Sequence, residues 1–166
     1  MLGAFGALAG AKALNELVVD TWGANGPAIL HQTGRRDYEL VKRRVDRPDY
    51  RVIAETDRFG AALTACDLVL ARSGSAVWEI AAAGRAAILV PYPFATGDHQ
   101  ALNAQHFVQA GGAILVRELE LDRVPDLVRS LLDDPPRLVK MGAAMRAAAK
   151  PGAADEIADE LLALAQ

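Results

Sequence analysis

Two short apolar runs, residues 67–71 and 86–90, enclose a segment of helical composition that opens with Ser73-Gly74-Ser75. Apolar runs of this length predict strands, and the segment between them predicts a helix, so the stretch forms a β-α-β unit. The crossover helix makes the two strands parallel and gives the connection a right-handed sense. This unit constrains the fold most strongly, because neighbouring strands must then join the same parallel sheet.

Alternation of strands and helices continues on both sides of this unit. Strands separated by helices of about ten residues are typical of a doubly wound parallel sheet. We therefore expect an α/β fold with a parallel sheet of about six strands, followed by extra C-terminal helices. The predicted strands are residues 2–5, 28–32, 50–55, 67–71, 86–90 and 113–116. Besides the central helix, the predicted helices are residues 8–22, 37–45, 57–66, 100–109, 122–132, 136–149 and 153–165.

The composition predicts a folded domain over residues 1–166, since 52% of the residues are hydrophobic and 23% are charged. The net charge of −3 argues against general nucleic-acid binding, because no excess of cations is present to neutralise phosphates. We interpret Lys42-Arg43-Arg44 and Arg47 as a solvated helix face. The single cysteine, Cys66, excludes an internal disulfide, fits a reducing compartment and predicts a small buried residue.

Membrane insertion by this chain is not expected. No run approaches the roughly 20 apolar residues of a membrane span. The apolar stretch over residues 1–14 lacks a basic start, so we interpret it as a strand, a turn and a helix start rather than a signal peptide.

Polar and small residues follow several of the predicted strands. They are the turn over residues 6–11 with Gly6 and Gly10, the helix mouth over residues 73–76 with Glu79 one turn inside, and Asp98-His99-Gln100. In doubly wound sheets, ligands bind beyond the carboxyl ends of the strands, where these residues fall. Each feature taken alone also fits a structural role: close packing for the glycines, a surface acid, and a helix start that Asp98 caps.

Other chemistry has less support. His31 and His106 are predicted to be ordinary strand-end and helix-surface residues. The sequence shows no Cys/His cluster for zinc, no acidic cluster for a tightly held cation and no Ser-His-Asp arrangement, and we predict no cofactor. A dinucleotide-binding oxidoreductase is disfavoured because the first turn lacks GxGxxG and no acid ends the second strand.

The combined pattern is more specific than its parts. The stretches RSGSAVWEIAAAG (72–84), ILVPYP (88–93) and DHQALNA (98–104) together resemble the C-terminal domain of the MurG family. These are GT-B glycosyltransferases that transfer N-acetylglucosamine from UDP to lipid I, giving lipid II. The resemblance covers nearly the whole chain, since residues 6–16, 31–34 and 56–59 also look like the family's loops.

The resemblance implies a role for each site residue. The backbone around Thr56 and Phe59 would frame uracil, and Glu79 would accept hydrogen bonds from both ribose hydroxyls. Backbone N–H groups of residues 6–11 and 73–76 would hold the diphosphate, while His99 and Gln100 would contact the sugar. The implied substrate-binding residues are Gly6, Gly10, Thr56, Phe59, Arg72, Ser73, Gly74, Ser75, Ala76, Glu79, His99 and Gln100. The resemblance implies no metal and places no catalytic residue in this chain.

Three departures from the family pattern affect the implied site. The usual Gly-Gly-Ser of the first loop reads Gly6-Ala7-Leu8, the usual His after Pro-Tyr-Pro is Phe94, and the segment 72–79 is one residue shorter than in some relatives. The first two would weaken contacts to the diphosphate and the sugar.

The acceptor-binding N-terminal domain of GT-B enzymes has no counterpart in this sequence. We therefore expect no turnover by this chain alone, and expect the complete enzyme at the inner face of the cytoplasmic membrane through its other domain. Two alternatives stay open: the catalytic subunit of a split two-chain glycosyltransferase, and a non-catalytic or engineered scaffold with an impaired nucleotide-sugar site.

Overall fold

A computed structural model describes residues 1–6 and 12–164 of the chain. Within them it contains six β-strands, eight α-helices and two 3₁₀ segments. The strands are β1 (Leu2–Phe5), β2 (Ile29–Gln32), β3 (Tyr50–Ile53), β4 (Leu68–Ala71), β5 (Ala86–Leu89) and β6 (Ala113–Leu115). The α-helices are α1 (Lys12–Trp22), α2 (Tyr38–Lys42), α3 (Phe59–Thr64), α4 (Ala76–Ala82), α5 (His99–Gln109), α6 (Val124–Leu132), α7 (Pro135–Ala148) and α8 (Ala153–Leu164). The 3₁₀ segments are Thr96–Asp98 and Glu118–Arg123.

All six strands form a single parallel sheet in the order β3-β2-β1-β4-β5-β6. Leu2 of β1 pairs with Ile29 of β2 on one side and with Leu68 of β4 on the other. The chain winds in one direction from β1 to β3 and in the other from β4 to β6, so the switch point lies between β1 and β4. The predicted α/β class and six-strand sheet are confirmed.

Strand β4 shows why these runs read as continuously apolar. All four of its residues are buried, because helices cover both faces of the sheet. Leu68 and Leu70 pack into one core with Leu14 and Val18 of α1. Val69 packs into the other core. The alternation of side chains along the strand therefore serves two hydrophobic layers.

The basic group after α2 differs in part from its prediction. The predicted helix over residues 37–45 is limited to α2, and Arg44 forms an exposed ion pair with Asp20. Arg47 is not a solvated residue: its guanidinium donates to the carbonyl oxygens of Gly26 at 2.8 Å and Pro27 at 3.0 Å. It thus fixes the connection before β2, a long-range contact that local charge patterning did not reveal.

The C-terminal helices divide into two kinds. Helices α6 and α7 pack on the sheet, and Gly142 of α7 lies so close to the turn before β5 that an added Cβ would be 2.4 Å from the carbonyl oxygen of Gly84. Helix α8 has no buried residue. In residues 1–6 and 12–164, no helix has both the length and the apolar character needed to span a membrane.

Candidate functional site

A crevice of about 370 Å³ opens beyond the carboxyl ends of β1 and β4, at the switch point of the sheet. Its walls come from the ends of β1, β2 and β3 on one side and from the β4–α4 connection on the other. The lining residues are Phe5, Gly6, Gln32, Gly34, Glu55, Thr56, Phe59, Ala71, Arg72, Gly74, Ser75, Ala76, Glu79 and Ile80. This position and volume are typical of ligand sites in doubly wound sheets.

The mouth of α4 forms one wall of the crevice. Gly74, Ser75 and Ala76 line it, and the exposed Glu79 lies in the first turn of the helix. A Cβ added at Gly74 would have Gln100 Nε2, 3.8 Å away, as its nearest neighbour among the described residues. The glycine therefore leaves open space in front of the backbone, which suits a ligand that approaches the main chain closely.

Ser73 differs from its neighbours in this wall, because it is fully buried and does not line the crevice. Its hydroxyl donates to the carbonyl oxygen of Gln100 at 2.8 Å, and its own carbonyl accepts from the side chain of Asn103 at 3.1 Å. The Ser73 side chain thus joins the α4 mouth to α5.

Gln100 bridges two loops at the edge of the crevice. Its Oε1 accepts the backbone N–H of Tyr92 at 2.9 Å, while its Nε2 lies next to Gly74, which lines the crevice. Gln100 therefore reaches Gly74 from α5, while Glu79 lines the crevice from α4, although Gln100 itself is not a lining residue.

The start of α5 differs from the simple cap that was predicted. Gly97 and Asp98 have φ values of 60° and 56°, in the left-handed region, and the Asp98 side chain makes no capping hydrogen bond. Asp98 therefore holds the predicted N-cap position of α5, but its side chain does not cap the helix. The exposed His99 ring lies over Gly97, outside the lining of the crevice.

Arg72 lines the crevice, but its side chain is only 2% exposed. The guanidinium donates to the carbonyl oxygens of Val90 at 3.3 Å and Pro91 at 3.2 Å, pairs with the carboxylate of Glu118, and lies over the ring of Tyr92. These contacts hold together the carboxyl ends of β4 and β5 and the 3₁₀ segment after β6. The pairing of Glu118 with Arg72 could not be predicted from the sequence, because the two residues lie 46 positions apart.

The opposite wall carries Thr56 and Phe59, the two residues that the resemblance implies would frame the base. The Thr56 hydroxyl accepts the backbone N–H of Arg58 at 3.0 Å, which shapes the turn before α3. The Phe59 ring packs edge-on against Phe5 with 5.1 Å between ring centroids. The two rings give this wall an apolar surface.

A buried polar cluster links α1, β2 and β3, and sequence reasoning missed it. His31 was predicted to be an ordinary strand-end residue, but it is 1% exposed, and its Nδ1 and Nε2 lie 2.8 Å from the Tyr50 hydroxyl and 2.9 Å from Asn15 Oδ1. Burial lowers the pKa of His31 to about 4, so its ring is neutral at pH 7. The neighbours Gln32 and Gly34 line the crevice.

Eight predicted residues meet in the crevice: Gly6, Thr56, Phe59, Arg72, Gly74, Ser75, Ala76 and Glu79. Ser73, His99 and Gln100 lie beside it rather than in its lining.

Gly10, Ala7 and Leu8 lie outside the described residues, so the predicted phosphate turn is described only at Gly6. Phe94, where the family usually has His, is 80% exposed. No group of three His, Cys, Asp or Glu residues in the described ranges is arranged to hold a metal ion.

Strand order and crevice together define a Rossmann-like α/β domain with an open ligand crevice at its switch point. A family model described as the glycosyltransferase family 28 C-terminal domain matches residues 5–157. The chain belongs to this family and corresponds to the C-terminal domain of its members.

Curated relatives agree with this assignment. The chain is 40% identical over 164 residues to the UDP-N-acetylglucosamine--N-acetylmuramyl-(pentapeptide) pyrophosphoryl-undecaprenol N-acetylglucosamine transferase of Nitratidesulfovibrio vulgaris (strain DP4), covering 93% of this chain and 45% of the relative. The enzyme of the same name from Chlorobium limicola is 37% identical over 171 residues, covering 98% and 46%. The chain therefore spans about half the length of these relatives.

Solved structures show the same likeness. MurG from Acinetobacter baumannii superimposes with a TM-score of 0.82 at 29% identity, covering 95% of this chain and 48% of that one. The calicheamicin glycosyltransferase CalG4 gives a TM-score of 0.68 at 22% identity over 99% and 44%, a likeness of fold alone. The sequence-based resemblance to the C-terminal domain of the MurG family is confirmed.

Proposed function

We propose that this chain is the UDP-N-acetylglucosamine-binding half of an inverting N-acetylglucosaminyltransferase of peptidoglycan synthesis. The observation that carries the proposal is the meeting of eight predicted donor-binding residues in one crevice at the switch point. The names of the relatives from N. vulgaris and C. limicola, which describe N-acetylglucosamine transferases, support the same substrate class.

Glu79 would bind the ribose. An ionised carboxylate accepts hydrogen bonds but donates none, so its two oxygens suit the paired 2′ and 3′ hydroxyls of a nucleoside. Its place in the first turn of α4, beside the open space at Gly74, brings the carboxylate next to backbone that can approach the diphosphate. The base would then extend toward Thr56 and Phe59 on the opposite wall.

The sugar would project from the crevice toward the start of α5. Gln100 can donate from Nε2 beside Gly74 while its Oε1 is held by Tyr92, and the exposed His99 imidazole lies on the same helix start. Hydroxyl groups both donate and accept, so an amide and an imidazole are suitable partners for them.

Transfer would require little covalent chemistry from this chain. Backbone N–H groups around the diphosphate would stabilise the charge that develops on the leaving UDP, and an acceptor hydroxyl attacking from the opposite face would invert the anomeric carbon. We assign the acceptor site and any general base to an N-terminal half or partner subunit, which would also bring the enzyme to the inner face of the cytoplasmic membrane. The chain alone should give no product with UDP-N-acetylglucosamine and a lipid I analogue, and transfer by the isolated chain would overturn this assignment.

Titration calorimetry with UDP and UDP-N-acetylglucosamine tests the donor site. We expect saturable binding, weakened about tenfold by Glu79→Gln, which keeps the side-chain size but removes the charge from the acceptor. Glu156→Gln, on the exposed helix α8, is the matched control and should bind as the wild type does. Absence of saturable binding by the wild-type chain would overturn the proposal and support a non-catalytic scaffold.

A further inference from the structure

We propose that Asn15 of α1 is a positioning residue for the nucleotide-sugar site. Through a chain of buried hydrogen bonds with His31 and Tyr50, it holds the rim of the crevice formed by residues 32–34 (the β2 rim). The inference rests on the proposed function, because the β2 rim bears on activity only if the crevice binds the donor.

The amide of Asn15 has a single orientation that satisfies its neighbours. Its Nδ2 lies 3.0 Å from the carbonyl oxygen of Thr33 and 2.9 Å from a carboxylate oxygen of Asp37, and both of these groups only accept. Both N–H bonds of the amide are therefore used as donors. Its Oδ1 is left as an acceptor, 2.9 Å from His31 Nε2.

This orientation fixes the proton on the histidine. Nε2 of His31 must carry the hydrogen that Asn15 Oδ1 accepts, so in the neutral ring Nδ1 is the acceptor and takes the hydrogen of the Tyr50 hydroxyl at 2.8 Å. The resulting chain runs from β3 through β2 to α1. Tyr50, His31 and Asn15 are 4%, 1% and 2% exposed, so water does not compete with these bonds.

The chain acts on the backbone that borders the crevice. Asn15 holds the carbonyl of Thr33, whose N–H donates to Ile53 at 3.0 Å, while the N–H of Gly34 donates to Ala54 at 2.9 Å. The carbonyl of Gln32 accepts the N–H of Gly6, the last described residue before the predicted phosphate turn. The β2 rim is therefore fixed on the side of β3 and on the side of α1, and Gly6 is fixed to it.

Gly34 shows why the position of the rim matters for a ligand. It has a φ of 77°, and a Cβ added there would meet no described atom within 4 Å. Its backbone thus faces open space in the crevice rather than packed protein. A displacement of the rim changes the shape of that space without disturbing a packed core.

The test is Asn15→Asp, which keeps the size of the side chain but replaces the amide donors with a carboxyl group. At pH 8 the introduced carboxylate would face the acceptor-only Thr33 carbonyl and the Asp37 carboxylate, and we expect UDP to bind about tenfold more weakly than to the wild type. Burial beside the Asp37 carboxylate raises the pKa of the introduced group, so at pH 5.5 more of it is protonated and can donate again. The ratio of the variant and wild-type Kd values should then move toward one. Taking the ratio removes the pH effects on UDP and on the rest of the site that both proteins share.

In the wild-type chain, the groups that face position 15 keep their charge between these two pH values. The hydrogen bond from Arg36 holds the pKa of Asp37 below its ordinary value, so Asp37 stays ionised, and the His31 ring, with a pKa of about 4, stays neutral. In the variant, the introduced carboxylate would raise the pKa of both neighbours, because it accepts from His31 and faces Asp37. A pH-dependent defect that the wild type lacks therefore reports on the carboxyl group introduced into this cluster.

The control separates positioning from general destabilisation. Val128→Ala, on the buried side of α6, should lower the thermal midpoint without changing the Kd for UDP or its pH dependence. All titrations are run well below the midpoints of the variants. The inference is overturned if Asn15→Asp binds UDP as the wild type does at pH 8, or if its defect is independent of pH. Failure of the wild-type chain to bind UDP is a separate result, which would overturn the proposed function instead.

Discussion

The side-chain Oε1 of Gln100 accepts the backbone N–H of Tyr92 at 2.9 Å, so the residue predicted to read the donor sugar also holds the loop after β5. The two roles use different atoms of the same amide. A substitution that keeps the acceptor but removes the Nε2 donor can therefore separate them.

Gln100→Glu makes that separation. Its carboxylate can still accept from Tyr92, but it has no donor for a sugar hydroxyl. The charge added beside Gly74 weakens both ligands by repelling the diphosphate. We therefore expect the affinity for UDP-N-acetylglucosamine to fall about fivefold more than the affinity for UDP, by calorimetry (about 1 kcal/mol for one hydrogen bond). Gln105→Glu, on the exposed side of α5, is the control. Equal losses for both ligands would contradict a contact between Gln100 and the sugar.

Arg72→Met should destabilise the fold. It removes donors from two strand-end carbonyls and leaves the partly buried Glu118 carboxylate without its partner, at a cost of about 2 kcal/mol in the free energy of unfolding. Arg129→Met breaks an exposed pair with Asp126 and should cost about 0.5 kcal/mol or less. Urea unfolding measures both. Similar costs for the two variants would contradict a structural role for Arg72.

Ser73→Ala should cost about 1 kcal/mol in the free energy of unfolding, because the buried hydroxyl donates across to α5. Ser75→Ala is the matched change two residues along, at an exposed position, and should leave stability nearly unchanged. Chemical denaturation of the two variants in parallel is the measurement. If both prove neutral, the contact between Ser73 and Gln100 does not stabilise the fold.

Stability should fall in weak acid because of His31. The pKa of His31 is about 4 in the folded chain, below the ordinary value of 6.5. Between pH 6.5 and pH 4, the histidine is therefore protonated in the unfolded state but neutral in the folded state, which favours unfolding. The loss should reach about 2 kcal/mol at pH 5 relative to pH 7.5. His31→Gln should remove this part of the pH dependence. His106→Gln, on the surface of α5, should retain it, and urea titrations at the two pH values decide the question.

Cys66 should be unreactive in the folded chain. It is fully buried, and burial raises the pKa of its thiol to about 11, so little thiolate is present at pH 8. A disulfide exchange reagent should modify it slowly in buffer and rapidly in denaturant. Rapid modification of the native protein would show that α3 opens readily.

Sequence patterns predicted the centre of the sheet well because every residue of β1, β4 and β5 is buried, and strands buried on both faces form short apolar runs in the sequence. The six predicted strands are all present, with ends that differ by at most two residues. The 3₁₀ segments at Thr96–Asp98 and Glu118–Arg123 were not predicted, since their turns carry no hydrophobic periodicity.

Site residues were predicted where they follow a strand within a local motif, as Glu79 and Gly74 do. The polar chain of Asn15, His31 and Tyr50 was not, because its members come from three separate elements and each alone carries no signal. Likewise, the burial of the Arg72 guanidinium was not predicted. Its partners lie at the end of β5 and in the segment after β6, far from Arg72 along the chain.

Helix α8 buries none of its 12 residues, although Ile157, Leu161 and Leu164 follow one another along one side. A helix of this length is marginal when it relies on its own turns. The part of the chain that unfolds cooperatively should therefore end near α7. The amide protons of α8 should exchange with solvent through local fraying, whereas those of β4 should exchange only when the whole domain unfolds.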